Sequence, residues 1–162
     1  MLGGSSFLVM PSFYEPFGAV TEGYLNGTPV IARGTGGLWI QIESMQACQV
    51  PGYFRSFFGH DDLISLQPTG ILFREDSSET SIINEWKAIL SATPRERLSS
   101  TLYNAMVNAA YKTLDCAITI FHNKEKYGML IVNSFNILSQ FSWKDSIEKY
   151  KRVYDCVQRR VL

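Results

Sequence analysis

Side chains that build metal centres and covalent cross-links are scarce in this sequence. Its 162 residues include three cysteines and two histidines. Cys48, Cys116 and Cys156 are widely spaced and form no Cys-x-x-Cys pair, and neither His60 nor His122 has a second histidine three or four residues away. This spacing indicates neither a metal site nor a disulfide framework. We interpret the cysteines as free or buried thiols of a reducing compartment.

The chain also lacks an excess of either charge and a long apolar run. Its 15 basic and 15 acidic side chains give a formal net charge of zero. A neutral chain is not typical of proteins that bind duplex nucleic acid or an anionic membrane surface through bulk positive charge. No apolar run approaches the roughly 18 residues of a membrane-spanning helix, and residues 1–6 lack the basic start of a secretory signal. We therefore expect a cytoplasmic protein with no nucleic-acid partner and no membrane span.

Glycine is nearly missing from the second half of the chain. Of the 12 glycines, 11 lie in residues 1–70, and only Gly128 lies beyond them. Residues 1–70 carry two basic and five acidic side chains, whereas the remainder carries 13 basic and 10 acidic ones. The first part therefore has the composition of turns and short strands, and the second part that of helices with solvated faces. We divide the chain into a sheet part, 1–74, and a helical part, 75–162.

Three short apolar runs predict β-strands. Residues 7–10 are closed by Pro11, residues 30–32 are followed by Gly34, and residues 71–73 follow a Thr-Gly turn. Between the first two runs, three side chains have helical spacing, namely Val20, Tyr24 and Leu25. A strand, a helix and a second strand make one βαβ unit, and short, fully apolar strands are typical of a parallel sheet covered on both faces. The sequence therefore predicts an α/β fold.

The rest of the chain is predicted to be mainly helical. Residues 82–90, 102–121 and 143–157 carry apolar side chains at a period of 3.6, and Pro94 separates the first two segments. Ser142 is the predicted N-cap of the last helix. Residues 45–69 show no clear period, and a loop with a short helix or an inserted hairpin is expected there.

A carboxylate follows the first predicted strand. Glu15 lies where a strand gives way to a helix, and ligands of open α/β sheets bind at that edge. Gly18 would let a ligand approach the backbone closely, and the N–H groups of Ala19, Val20 and Thr21 would favour a phosphate. A surface loop whose carboxylate merely favours the helix start explains the same pattern equally well.

A second glycine-rich stretch follows the second predicted strand. It contains Thr35, Gly36 and Gly37, and it is expected on the same sheet edge as Glu15. Adjacent glycines permit positive φ angles and backbone contact with a ligand. A plain tight turn is the alternative.

Five short motifs, in this order along the chain, carry a family resemblance. They are Pro11-Ser12-x-x-Glu15-Pro16-x-Gly18, Gly27-Thr28-x-Val30, Thr35-Gly36-Gly37-Leu38, Thr69-Gly70-x-Leu72-Phe73 and Phe141-Ser142-Trp143. In these motifs the chain resembles starch synthases and bacterial glycogen synthases, and it is similar to the fungal α-1,3-glucan synthases, which share Glu-Pro-Phe-Gly. Members of these families are retaining glycosyltransferases of the GT-B fold, in which two Rossmann-like domains enclose a donor cleft.

The resemblance implies specific roles at the two stretches. Glu15 would be the catalytic carboxylate, which orients the donor sugar and supports its oxocarbenium-like transition state. The implied donor-binding residues are Gly18, Ala19, Glu22, Thr35, Gly36 and Gly37. Gly18 and Ala19 would receive the nucleotide diphosphate, and residues 35–37 would touch the glucose and the distal phosphate. Glu22 would hold the ribose, although six rather than the usual seven residues separate it from Glu15.

The resemblance also implies a reaction. Glucose would pass from ADP- or UDP-glucose to the non-reducing end of an α-glucan, with retention and without a metal or another cofactor. In the family, an acceptor domain and the first half of the donor domain precede the matching region. We therefore expect a C-terminal portion of a donor domain, inactive alone. Residues 1–74 would form the sheet and the nucleotide-sugar rim, and residues 75–162 the helical part with a crossing helix. A plastid location is expected if a longer protein carries a transit peptide.

Two alternatives stay open. One is a GT-B transferase of another sugar, and the other is a non-catalytic scaffold or pseudo-enzyme that binds glucan or nucleotide. The reading frame upstream of Met1 discriminates between an enzyme and the scaffold or pseudo-enzyme, because an active enzyme of this fold needs some 300 further residues, a size typical of two domains.

Overall fold

The computed structural model describes residues 2–16, 18–45, 67–76, 84 and 87–161. After a short 3-10 helix at Leu2–Gly4, the sheet part contains β1 (Leu8–Met10), α1 (Ala19–Leu25), β2 (Val30–Arg33), α2 (Gly36–Gln41) and β3 (Gly70–Phe73). The helical part contains α3 (Pro94–Leu98), α4 (Thr101–His122), α5 (Lys124–Ile137), a 3-10 helix (Leu138–Phe141) and α6 (Trp143–Val161). Most of the segment predicted as a loop or hairpin, residues 46–66, lies outside the described residues.

The three strands form one parallel sheet in the order β1-β2-β3. Leu8 pairs with Val30, and Val30 pairs in turn with Gly70, so the three strands start at nearly the same level. Consecutive parallel strands require crossover connections, and α1 supplies the first of them. The predicted βαβ unit and the mixed α/β fold with a parallel sheet are thereby confirmed.

Apolar clusters cover both faces of the sheet. On one face, Ala32 and Leu72 pack with Tyr24 of α1 and with Leu38 and Trp39 of α2. On the other face, a second cluster contains side chains from two strands and from α4 and α5, namely Ile31, Ile71, Phe73, Ala117, Ile120 and Leu130. Each leucine, isoleucine or phenylalanine side chain among them stabilises the fold by roughly 1.5–3 kcal/mol when fully buried. Successive side chains of a strand point to opposite faces of the sheet. Because both faces are covered, apolar side chains are needed at consecutive positions.

Two helices lie outside the segments in which a period of 3.6 predicted a helix, although α5 falls in the predicted helical part, 75–162. α2 begins inside the Gly36-Gly37 pair, which indicated a turn, and its fully buried Leu38 and nearly buried Trp39 hold it against the sheet. α5 carries apolar side chains around much of its circumference, so its sequence shows no single apolar stripe. Tertiary packing, rather than a period in the sequence, stabilises both segments.

The remaining helices follow the predicted periods closely. α4 and α6 contain the predicted ranges 102–121 and 143–157. Pro94 is the first residue of α3, and Thr93 and Glu96 form a reciprocal capping box there. Ile82, Ile83 and Trp86 of the first predicted helix lie outside the described residues, whereas residues 87–91 are helical. Within the described part of the chain, no helix has the length and apolarity needed to cross a membrane.

Candidate functional site

The two predicted stretches meet at the carboxyl edge of the sheet. The N–H of Gly37, in the first turn of α2, donates a hydrogen bond of 2.7 Å to the backbone carbonyl of Glu15. The Thr35 hydroxyl donates to the carbonyl of Phe13 at 3.0 Å. Because parallel strands end at the same edge, the loop after β1 and the loop after β2 lie side by side. We call this surface, formed by residues 12–16, 18–22 and 34–37, the rim.

Gly36 permits the close approach of the two loops. Its φ of +49° lies in the left-handed region, which side-chain-bearing residues rarely adopt. A Cβ added at this position would also collide with the carbonyl oxygen of Glu15. Both observations require glycine at position 36, so they account for the first glycine of the Gly36-Gly37 pair.

Gly18 shapes the start of α1. Its φ is +116°, and its carbonyl accepts hydrogen bonds from the Thr21 N–H at 3.0 Å and from the Thr21 hydroxyl at 2.6 Å. The Thr21 N–H, which was predicted to face a phosphate, is therefore already bonded within the chain. No described residue accepts a hydrogen bond from the N–H of Ala19, which leaves this group at the rim for a ligand.

The two predicted carboxylates lie on different elements. Glu15 is half-buried in the loop after β1, and its carboxylate forms no hydrogen bond or ion pair with another described residue. Glu22 is exposed on α1, where its backbone carbonyl accepts from the Asn26 amide. No hydrogen bond or ion pair joins the Glu22 side chain to the described rim residues. The structure therefore groups Glu15 with residues 35–37 but does not tie Glu22 to them.

A buried charged cluster, which sequence reasoning missed, lies beneath the rim. Arg33 Nε donates to Glu75 Oε2 at 2.8 Å, and Arg33 Nη2 pairs with Glu75 Oε1. Both side chains are 0 % exposed. The third nitrogen of Arg33 donates to the carbonyl of Phe13 at 3.1 Å. This guanidinium therefore holds the loop that carries Glu15.

Arg74 extends the cluster to the second loop. Its Nη1 donates to the carbonyl of Gly34 at 2.7 Å, and its Nε lies 3.2 Å from Glu75. Burial by itself raises the pKa of the Glu75 carboxyl, but the hydrogen bond from Arg33 and the charges of Arg33 and Arg74 outweigh it and lower the pKa. Glu75 is therefore ionised at neutral pH. Arg33 and Arg74 therefore both contact the Glu75 carboxylate beneath the two loops.

A signal for this cluster was present in the sequence. Arg33 interrupts the apolar run of β2 just before Gly34, and Arg74 and Glu75 directly follow the apolar run of β3. Charged side chains at the ends of buried strands meet at one sheet edge and must be paired when they are buried.

The described residues do not gather a metal site. They contain no group of three or more histidine, cysteine, aspartate or glutamate side chains that could hold an ion. Cys116 and Cys156 form no disulfide bond with a described residue, and Cys48 lies outside the described residues. Comparisons with protein-family models, with curated proteins and with solved structures find no match for this chain.

Proposed function

We propose that this chain is the C-terminal part of the donor domain of a GT-B retaining glucosyltransferase similar to starch and glycogen synthases. The observation that carries the proposal is the direct contact between the Glu15 loop and the Gly36-Gly37 turn. The resemblance assigns both segments to the donor sugar, and such a role requires that they lie side by side. In this proposal, residues 1–74 form the sheet and donor rim, and residues 75–162 form the supporting helices.

The strand order supports the same proposal. A doubly wound sheet has the order 3-2-1-4-5-6, so its second half consists of consecutive neighbouring strands. The order β1-β2-β3 has this form. Strand β1 would then lie beside the first half of the sheet, at the switch point where ligands of such folds bind. Glu15 follows β1 and would face that crevice.

Each rim residue has a distinct role in the proposed reaction. The Glu15 carboxylate, free of partners among the described residues, orients the donor glucose and stabilises the positive charge that develops on it. The backbone at Gly18 and Ala19 receives the diphosphate as its negative charge grows, and residues 35–37 contact the glucose and the distal phosphate. Backbone dipoles held in place before the reaction need no reorganisation, which is the electrostatic form of catalysis. The ribose role of Glu22 rests on the motif alone.

Substitution of Glu15 in the intact protein tests the catalytic part of the proposal. Glu15→Gln is expected to lower the turnover of glucosyl transfer from ADP- or UDP-glucose to an α-glucan by at least 10²-fold, the loss that follows removal of one electrostatic group. Glu125→Gln, on the exposed first turn of α5, is the matched control and is expected to leave turnover unchanged. Near-normal turnover in Glu15→Gln would contradict the assignment. We expect no glucan elongation by residues 1–162 alone.

One observation favours a second candidate, a non-catalytic module that binds nucleotide or glucan. The Gly37 N–H, assigned to the donor, is already bonded to the Glu15 carbonyl. In a catalytic rim, either this bond opens when the donor binds, or the donor is bound by groups other than the Gly37 N–H. Binding without transfer by the intact protein, together with an affinity unchanged in Glu15→Gln, would favour the module.

A further inference from the structure

A polar pocket lies at the edge of the sheet opposite the rim. It has a volume of about 320 Å³, and its wall comes from the start of β3, the segment after α2, the end of α5 and the following 3-10 helix. The lining residues are Glu43, Gln67, Thr69, Asn133, Asn136, Ile137 and Gln140. Parallel strands begin at this edge and end at the rim, so the two sites are separated by the length of the sheet.

Hydrogen bonds fix the sheet side of the pocket. The Thr69 hydroxyl accepts from the Glu43 N–H at 3.0 Å and shares a hydrogen bond of 2.7 Å with the buried Tyr24 hydroxyl. The Thr69 N–H donates to the Glu43 carbonyl at 2.8 Å. Burial raises the pKa of Tyr24, and the nearby Glu43 charge adds to this rise. The Tyr24 hydroxyl therefore stays protonated, and the wall keeps one arrangement.

The α5 side of the pocket is hydrogen-bonded to the segment that directly precedes β3. The amide nitrogen of Asn133 donates to the carbonyl of Pro68 at 3.0 Å, and the buried Ser134 hydroxyl donates to the carbonyl of Thr69 at 3.0 Å. Asn133, Asn136 and Ile137 follow each other at i, i+3 and i+4, so they share one face of α5. The pocket is thus held between two elements that hydrogen bonds and packing join.

Three exposed polar groups of the lining have no hydrogen-bond partner among the residues that the structure describes. The Glu43 carboxylate and the side-chain amides of Asn136 and Gln140 form no hydrogen bond with any described residue. These groups offer one charged acceptor, two neutral acceptors and two amide donors. The described lining residues include no lysine, arginine or histidine.

We propose that this pocket is a second binding site, and that its ligand is a neutral, polyhydroxylated molecule such as a sugar unit. Carboxylate and amide groups present paired acceptors and donors that match neighbouring hydroxyl groups, while Ile137 gives an apolar wall for the ring carbons. The volume lies at the small end of ligand pockets, which span roughly 300–1,000 Å³. Among the described lining residues Glu43 is the one carboxylate, whereas Ca²⁺ takes six to eight oxygen ligands.

A titration of the isotopically labelled chain tests this proposal. Maltose and glucose are the probes, and backbone amide signals are the readout. Saturable shifts are expected at Thr69, Asn133 and Asn136, with little change at residues 35–37 of the rim. The position of the shifts separates this site from the donor site, so that either proposal can fail without the other.

Two variants complete the test. Asn136→Ala is expected to weaken maltose binding by at least 10-fold, because it removes a donor and an acceptor from the exposed wall without disturbing the Asn133 and Ser134 bonds. Asn108→Ala, on an exposed position of α4, is the matched control and is expected to leave binding unchanged. Absence of shifts at the pocket, equal binding by both variants, or preference for an amine such as putrescine over maltose would overturn the proposal.

Discussion

The Arg33 guanidinium and the Glu75 carboxylate form a fully buried, two-point ion pair that joins the end of β2 to the segment after β3. Arg33 also donates to the carbonyl of Phe13, in the loop after β1. A single guanidinium thus holds the carboxyl ends of all three strands. The planar fork of arginine suits this task, because it directs several donors at fixed angles.

Breaking this ion pair from one side is expected to be costly. Glu75→Gln leaves the Arg33 charge buried without its counter-ion and should lower the free energy of unfolding by about 3–5 kcal/mol. The double variant Arg33→Met/Glu75→Leu removes both charges of this pair and leaves Arg74 without its Glu75 contact, as Glu75→Gln also weakens it, so it should lose less than Glu75→Gln alone. Urea unfolding measures both values. A double variant that loses as much as the single one would mean that the charges themselves do not carry the effect.

Stability should also fall in acid through the same carboxylate. The pKa of Glu75 is lower in the folded protein than the value of about 4.3 of an unfolded glutamate. The unfolded chain therefore takes up this proton first, and the stabilisation is complete above the unfolded pKa and declines as pH falls through the folded pKa. In urea unfolding, the stability difference between the natural protein and Glu75→Gln should shrink as pH falls below about 4. A difference that stays constant would show that Glu75 does not titrate in this way.

Gly36 should tolerate no side chain. Gly36→Ala combines a left-handed φ with a collision at the Glu15 carbonyl, and should lower the free energy of unfolding by more than about 1 kcal/mol. Gly128→Ala is the matched control, because its Cβ would meet open space inside α5 and should raise that free energy by about 0.5–1 kcal/mol. Thermal unfolding of the two variants checks the opposite signs. A stable Gly36→Ala would contradict the close packing of the two rim loops.

Gln41 should be a site where an apolar side chain improves stability. It is 0 % exposed, and neither its Nε2 nor its Oε1 has a hydrogen-bond partner among the described residues. An unsatisfied buried amide costs about 1–3 kcal/mol, so Gln41→Leu should raise the free energy of unfolding by a similar amount. Gln158→Leu, on the exposed side of α6, should change it by less than about 0.5 kcal/mol. Destabilisation by Gln41→Leu would indicate that the amide has a partner after all.

The sequence predicted the elements whose signals are local. The strands at residues 8–10, 30–33 and 70–73 are short apolar runs bounded by turn residues, and α4 and α6 have a clear 3.6 period. The meeting of Glu15 with residues 35–37 followed from parallel topology alone. These features need no knowledge of distant contacts.

The features that were missed depend on contacts between distant residues. Arg33 and Glu75 are 42 residues apart, and their places at strand ends indicate a common sheet edge but not which charged residue pairs with which. α2 forms because Leu38 and Trp39 pack against the sheet, although Gly36 and Gly37 indicate a turn. The engagement of the Thr21 and Gly37 N–H groups within the protein is likewise set by loop geometry rather than by residue type.

Titration of the labelled chain with ADP-glucose and UDP-glucose tests the donor rim most directly. Saturable shifts of backbone amide signals are expected at Gly18, Ala19 and residues 35–37, and they should be larger than those that free glucose causes there. The Gly37 signal should report whether its bond to the Glu15 carbonyl opens. No rim shift at millimolar nucleotide-glucose, or shifts confined to the helical part, would contradict the assignment of this edge to a nucleotide-sugar donor.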